Sequence, residues 1–347
     1  MPGLSSGGLA AMVSHKIMEE YLSVKPGEQV LILADTETES DFVHGLAGAA
    51  NALGADGNVL IQPPSFIDDL ERPLSRVALA ALEGADIFIP MTATTGHSVH
   101  DMNVARLFIA EKKMRMYVSG GWHGGNVTAA LNAIRNHDYH VVTDINTKLS
   151  KVLNDGNEIH VTSEAGTDLH ASIKDIGYYI DAGYAPVPGT VCNLPAGEAW
   201  GGPVEFTAEG KIAVDGAIAM DIGTKAVNPN PVMLTCKKGR VVNVEGGVEA
   251  ERLRQLIENH KDADVLAEIS IGTNPYIRLN GDCNHNDKKM YGTVHVALGH
   301  NAFQIYPHGS IHTDVHLDMV LIRPTVVVDG QTIVSNGQPL GMIPRTD

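Results

Sequence analysis

The sequence predicts an α/β N-terminal domain with a mostly parallel sheet, followed by a strand-rich α+β C-terminal domain. Three observations carry this. In the first half, unbroken apolar runs alternate with helix-length segments, as strands buried on both faces do. Beyond Gly156, short runs of alternating polarity succeed one another with turn residues between them, the pattern of antiparallel strands. A chain of 347 residues also exceeds one typical domain. The boundary falls in the polar turn at 154–157, giving domains 1–155 and 156–347.

EQVLILAD (28–35) is the first strand. Polar residues at 36–41 cap a helix over 42–53, which ends at Gly54. Strands follow at 58–62, at ADIFIPM (85–91) and at MRMYVSG (114–120), with helices near 74–82, 100–112 and 127–135. This alternation implies right-handed crossovers and a parallel sheet, whose ligands gather at the carboxyl ends of its strands. TATTGHSVHDMNVAR, after the third strand, therefore stands out: it places His97 and His100 in a Thr/Ser-rich loop. His100 titrates near working pH and suits a general acid or base; the plainer reading is a surface histidine beside a helix cap. GGWHGG (120–125), with His123, is a second such loop. Neither G-x-G-x-x-G nor a P-loop occurs, so no nucleotide site is supported.

A helix over 147–153 closes the first half. EIHVTSEAGTDLHASIK (158–174) reads as two strands about Gly166, 213–222 as another, and 232–245 as a hairpin turning at KKGR. VCNLPAGEAWGGP (191–203) reads as a Pro/Gly-rich loop with Glu198 at its centre, and 248–260 as the one helix of this half. AEISIG, GTVHVALG, IHTDVHLDMVL and PTVVVDGQTIVSNG complete a curved or barrel-like sheet.

Within IHTDVHLDMVL (311–321), His316 and Asp318 are two residues apart and share one strand face, with Val315, Leu317 and Met319 behind them. His312 and Asp314 extend the polar row. Taken alone this is a solvated strand face. Beside His295 in GTVHVALG and Glu268 in AEISIGTNP, it becomes a candidate set of divalent-metal ligands.

Composition narrows the function. A net charge of −16 argues against nucleic acid and anionic membranes and is compatible with holding a cation. Cys192, Cys236 and Cys283 form no CxxC, so neither a disulfide framework nor a zinc knuckle is indicated. No run of about 18 apolar residues is present, and the opening MPGLSSGGLAAMVSHK lacks the form of a signal peptide. A cytoplasmic protein is expected.

NLPAGEAW, GTDLHASI, AEISIGTNP, GTVHVALGHN and HTDVHLDMV, in this order, resemble the thermophile-type metallo-aminopeptidases and the related 2,5-dihydroxypyridine 5,6-dioxygenases, whose size this chain matches better. The resemblance implies metal ligands at Glu198, Glu268, His295, His316 and Asp318. Where the aminopeptidases carry a further glutamate ligand, this chain reads NDKKMYGTVH, with Lys288 at that place and Asp287 one position off. An ammonium there repels a second dication. The resemblance thus points to one Fe(II) per chain, held by His316, Asp318 and one or both of Glu268 and His295. The expected enzyme is a ring-opening dioxygenase taking a small dihydroxylated N-heteroaromatic and O2, as a homo-oligomer. His100 is then the catalytic acid or base, and Glu198 and Val99 bind substrate. Two alternatives stay open: a metallo-aminopeptidase with two zinc, cobalt or manganese ions, and a purely structural metal domain.

Overall fold

Strand β1 (Gln29–Asp35) is buried from Val30 to Asp35, and a segment with no polar face takes the interior of a parallel sheet. The computed structural model describes residues 6–64, 74–92, 111–120, 127–219, 230–281, 286–302 and 309–341. Parallel strands β2 (Asp56–Gln62) and β3 (Ile87–Thr92) flank β1, and β4 (Arg115–Gly120) pairs with β3. Val191–Asn193 (β8) completes the order β2-β1-β3-β4-β8. Helices Ser40–Ala52, Arg76–Glu83 and Val127–Asn136 follow their expected positions, and the Ser75 hydroxyl caps the second by accepting the Ala78 N–H at 3.1 Å. The helix expected near 100–112 falls largely on residues outside those described.

One helix was not expected. Ser6–Lys16 packs on Ser40–Ala52, continuing into a π-helical turn at Ile17–Tyr21. Small residues permit the approach: a Cβ at Gly45 would meet Ser14 Oγ at 2.7 Å. Arg115, fully buried at the start of β4, donates to the carbonyls of Leu22 (2.6 Å) and Ser23 (3.0 Å) and pairs with Glu28.

Contacts divide the chain into Met1–His137 with Gly183–Ala196, and Asp138–Ala182 with Gly197–Asp347. The division drawn from sequence at residue 155 differs from this by one helix and one returning segment. The helix Tyr139–Asp155 starts eight residues before the expected 147, because the Asp138 carboxylate caps it, accepting the His140 and Val141 N–H groups. Of its buried stripe, Leu149 and Leu153 belong to the core of the second unit. Asn146 donates to the carbonyl of Asp181 at 3.1 Å.

The second unit holds two antiparallel sheets. β5 (Glu158–Thr162), β6 (Asp168–Ser172), β10 (Glu209–Val214), β11 (Val232–Lys237), β12 (Arg240–Glu245), β16 (Thr325–Val328), β17 (Gln331–Ser335) and β18 (Gln338–Pro339) form the order β12-β11-β10-β6-β5-β16-β17-β18. β7 (Tyr179–Asp181), β9 (Glu198–Trp200), β13 (Leu266–Gly272), β14 (Val294–Gly299) and β15 (His316–Leu321) form the order β15-β14-β13-β9-β7. Ile159, Val161, Ile269, Val296 and Met319 belong to one apolar core that draws on both sheets.

Three expectations change here. Residues 191–203 are not one loop: they contain β8 and β9, two short strands that go to different units. The strand expected at 213–222 ends at Val214; beyond it Gly216 and Ala219 donate N–H groups to Val320 and Asp318, running beside β15. The strand expected over 311–321 begins only at His316. Before it, Asp314 pairs with His260 at 2.8 Å and His312 stands edge-on to His300, so neither His312 nor Asp314 extends the metal-ligand row.

Candidate metal centre

β14 and β15 alternate strictly, β13 does so from Glu268 on after a bulge between Leu266 and Glu268, and all three are almost wholly buried. Ile269, Ile271, Val294, Val296, Leu298, Leu317 and Met319 face the core. The other face of these strands carries Glu268, His295, His316 and Asp318. Register assembles them: Glu268 and Asp318 both lie opposite Ala297, one on each side, while His295 sits opposite Ser270 and His316 opposite Gly299. Cross-strand partners share a face, so the acidic and imidazole groups converge over Ala297. The next strands continue the row, with Glu198 opposite Gly272 and Asp181 opposite Glu198. A sheet face that is polar and buried at once is costly unless its charges are matched or bind an ion.

The distances fit such binding. His316 Nε2 lies 3.4 Å from Glu268 Oε2 and 3.5 Å from Asp318 Oδ1, close to the ~3.4 Å separation of donors placed about 2.1 Å from one tetrahedral ion. His295 Nε2 lies 3.0 Å from Glu268 Oε1 and 3.2 Å from Glu198 Oε2. Two overlapping donor sets result, Glu268–His316–Asp318 and Glu198–Glu268–His295, sharing Glu268. The Nδ1–H of His316 donates to the His300 carbonyl at 2.7 Å. That bond fixes the tautomer that leaves Nε2 to the carboxylates, as in metal-ligating histidines. Ser270 donates its hydroxyl to Glu268 Oε1 at 2.6 Å.

Two lysines from the 3₁₀ turn Asp287–Lys289 enter the same cluster. Lys288 Nζ lies 2.7 Å from Asp318 Oδ2; Lys289 Nζ is 3.0 Å from Asp181 Oδ2 and pairs directly with Glu198. Electrostatics follow from this crowding. Burial alone would lower His295 and His316, but hydrogen bonds to the carboxylates outweigh it and raise them to about 9 and about 10. Burial would raise the acids, yet Lys289 holds Glu198 down at about 2, and Lys288 holds Asp318 well below the carboxylate range. Lys288 itself is raised well above its ordinary value, the charge of Asp318 overcoming burial.

The structure thus brings together all five residues that the sequence nominated in this half: Glu198, Glu268, His295, His316 and Asp318. His100 and Val99, and with them His97 and His123, lie outside the described residues. Lys288 stands inside the cluster, whereas Asp287 turns away and accepts the Asn280 and Gly281 N–H groups at 2.9 and 3.0 Å. Sequence reading missed Lys289 and Asp181. The one signal that could have found Lys289 is the doubled lysine before a strand; nothing in DIGYYIDAG marks Asp181.

A parallel α/β unit and a strand-rich unit whose buried face gathers histidines and carboxylates define a two-unit fold class with a candidate metal site. The fold of that class is found in wild-type AmpT from Thermus thermophilus, at 17% identity and a TM-score of 0.65 over 96% of this chain and 99% of that one. It is also found in a 2,5-dihydroxypyridine dioxygenase from Pseudomonas putida KT2440, at 19% identity and a TM-score of 0.78 over 99% of both chains. The 2,5-dihydroxypyridine 5,6-dioxygenase (NicX) family profile matches residues 15–341, and the chain belongs to this family. A curated 2,5-dihydroxypyridine 5,6-dioxygenase of Pseudomonas putida KT2440 is 28% identical over 198 residues. That match spans 54% of this chain and 55% of the relative, about half the length of each.

Proposed function

We propose that this protein is an Fe(II)-dependent dioxygenase that opens the ring of a dihydroxypyridine or a similar N-heteroaromatic, using O2 and one iron per chain. The observation that carries the iron site is the buried convergence of His316, Asp318 and Glu268, with the His316 tautomer set by the His300 carbonyl. Two kinds of hard and borderline donor with open positions suit non-haem iron. Family membership carries the reaction class.

Charge supports a single ion. With His295 and His316 neutral, as ligation requires, four carboxylates (Asp181, Glu198, Glu268, Asp318) meet two ammonium groups (Lys288, Lys289), leaving two negative charges that one divalent cation neutralises in place of the two histidine protons. A second dication beside Lys288 would face an ammonium 2.7 Å from the Asp318 carboxylate.

Bound there, Fe(II) supplies the Lewis-acid and redox chemistry by which an aromatic ring reacts with O2. The chain's own residues hold and orient. His316, Asp318 and Glu268 are the ligands, with His295 next to Glu268. Lys288 grips Asp318 Oδ2, leaving Oδ1 on the side of His316 Nε2. Glu198 Oε1 is engaged by Lys289, while Oε2, 3.2 Å from His295 Nε2, is the atom assigned to orient the ring. His100 is the group assigned to move the substrate's hydroxyl proton, with Val99 beside it at the substrate. A cytoplasmic homo-oligomer belongs to the same proposal.

One observation favours a second reading. Two donor sets sharing Glu268 are the layout of a dinuclear centre, which a metallo-aminopeptidase with zinc, cobalt or manganese would need. Anaerobic iron loading followed by O2-uptake assays over dihydroxypyridines separates the two. O2 uptake with iron, lost together with the metal in His316→Ala and Asp318→Ala, is the expected result. Cleavage of an aminoacyl-nitroanilide by a two-metal form without O2 uptake overturns it. His100→Ala should keep its iron and lose about 10²–10⁴-fold in turnover.

A further inference from the structure

The eight-stranded sheet carries a second constellation, away from the buried cluster and on a different sheet. On β6, Asp168 and His170 are two residues apart and share the outer face, while Leu169 and Ala171 turn to the core. On β5, His160 lies directly opposite His170. The two imidazoles stack with centroids 3.7 Å apart and planes 13° from parallel. Asp168 Oδ1 lies 2.7 Å from His160 Nε2 and 3.6 Å from His170 Nε2.

From this juxtaposition we infer a second metal site: His160 Nε2, His170 Nε2 and Asp168 Oδ1 form a three-ligand site for a borderline divalent ion, of which zinc is the representative. The two measured separations bracket the ~3.4 Å expected between donors about 2.1 Å from a tetrahedral zinc. Because each imidazole ligates through a lone pair in its ring plane, the near-parallel rings turn out of their stack to aim both Nε2 atoms at one ion. Two imidazoles with one carboxylate select zinc and its neighbours over calcium or magnesium, which need more oxygens. Binding replaces the His160–Asp168 hydrogen bond; the His160 proton moves to Nδ1 and Nε2 ligates as neutral imidazole.

The surroundings leave the fourth position to solvent or an incoming ligand. His160 and His170 line a depression of about 450 Å³ whose wall includes Glu158, Glu209, Thr207 and Asp329. Glu209 lies opposite His170 on β10, but its Oε1 is held by the Lys238 N–H at 2.9 Å. Asp329 is occupied by the N–H groups of Asn157 and Glu158, both at 2.9 Å. Glu209 Oε1 and the Asp329 carboxylate are therefore already engaged, and the ion is bound by three protein groups with its fourth position left to solvent.

This inference is independent of the reading of the buried cluster. Its test is equilibrium dialysis of the wild type and of His160→Ala/His170→Ala against zinc, with metal per chain counted by mass spectrometry. Both proteins carry the buried cluster unchanged, so its occupancy cancels in the comparison. The double variant is expected to hold one zinc fewer per chain. Asp168→Asn is expected to weaken that zinc by at least tenfold, since even second-shell changes cost about 10–100-fold. All three side chains are on the surface, and matched thermal unfolding without zinc checks that the variants fold. Equal zinc per chain in wild type and double variant overturns the site; unchanged affinity in Asp168→Asn overturns the three-ligand arrangement.

Discussion

Lys289 shows how much of the candidate centre rests on single side chains. Its ammonium is buried between Asp181 and Glu198, and both acids are buried with it. Removing one partner of a buried ion pair strands the others, which typically costs about 3–5 kcal/mol. Lys289→Met keeps the stem and deletes the charge, so it should lower the unfolding free energy by about 3–5 kcal/mol, read as a fall in the urea midpoint. Asp181→Asn in the same background should restore part of the loss, because it removes one of the two stranded charges. No change in midpoint for Lys289→Met would mean that the pair is not formed in solution.

At the scale of elements, the sheet face works because it contains a small residue where the acids converge. Ala297 lies opposite both Glu268 and Asp318. Ala297→Leu should fill that space and abolish iron retention on a desalting column while far-UV circular dichroism stays unchanged. Ala297→Gly should retain the metal. Iron retained by the leucine variant would place the ion elsewhere. A second prediction concerns Asp215, beyond the end of β10, whose Oδ1 accepts the Ile322 N–H at 2.7 Å. Burial raises its carboxyl despite that bond. The folded chain therefore keeps this proton to higher pH than the unfolded chain, whose carboxyl titrates near about 3.9. The resulting penalty is absent in acid and complete once pH has risen through the folded value. Asp215→Asn keeps an acceptor and removes the charge. It should be at least as stable as wild type at neutral pH and lose that advantage below the unfolded carboxylate range; urea midpoints at the two pH values measure this.

For the whole molecule, stability and metal content are linked. An ion bound to the folded chain and not to the unfolded one stabilises by RT ln(1 + [L]/Kd), about 2.7 kcal/mol at a hundredfold excess over Kd. Stripping iron with a chelator should therefore lower the thermal midpoint of the wild type. His316→Ala, which lacks the ligand, should lose that shift when both are compared in the His160→Ala/His170→Ala background, where the surface site contributes to neither. A wild-type midpoint that ignores chelation would argue against an ion in the buried cluster. No helix among the described residues is long and apolar enough to cross a membrane.

Much of this was legible along the chain because it is written in local periodicity. The run VLILA marks a strand buried on both faces, and it lies inside a parallel sheet. The two-residue spacing of His316 and Asp318 puts them on one face whatever surrounds the strand. Order in the chain also brought Glu268 and His295 into consideration. Tertiary structure decided what depends on register and on distant partners. Whether Glu268 meets Asp318 turns on both being opposite Ala297, which a one-residue slip would undo. That Lys289 and Asp181 belong to the cluster could not be read, since 108 residues separate them and no periodicity links the two. The helix Tyr139–Asp155 was underestimated because Val141, Val142 and Thr143 argue locally against a helix. The Asp138 cap and an apolar core supplied from elsewhere in the chain override them.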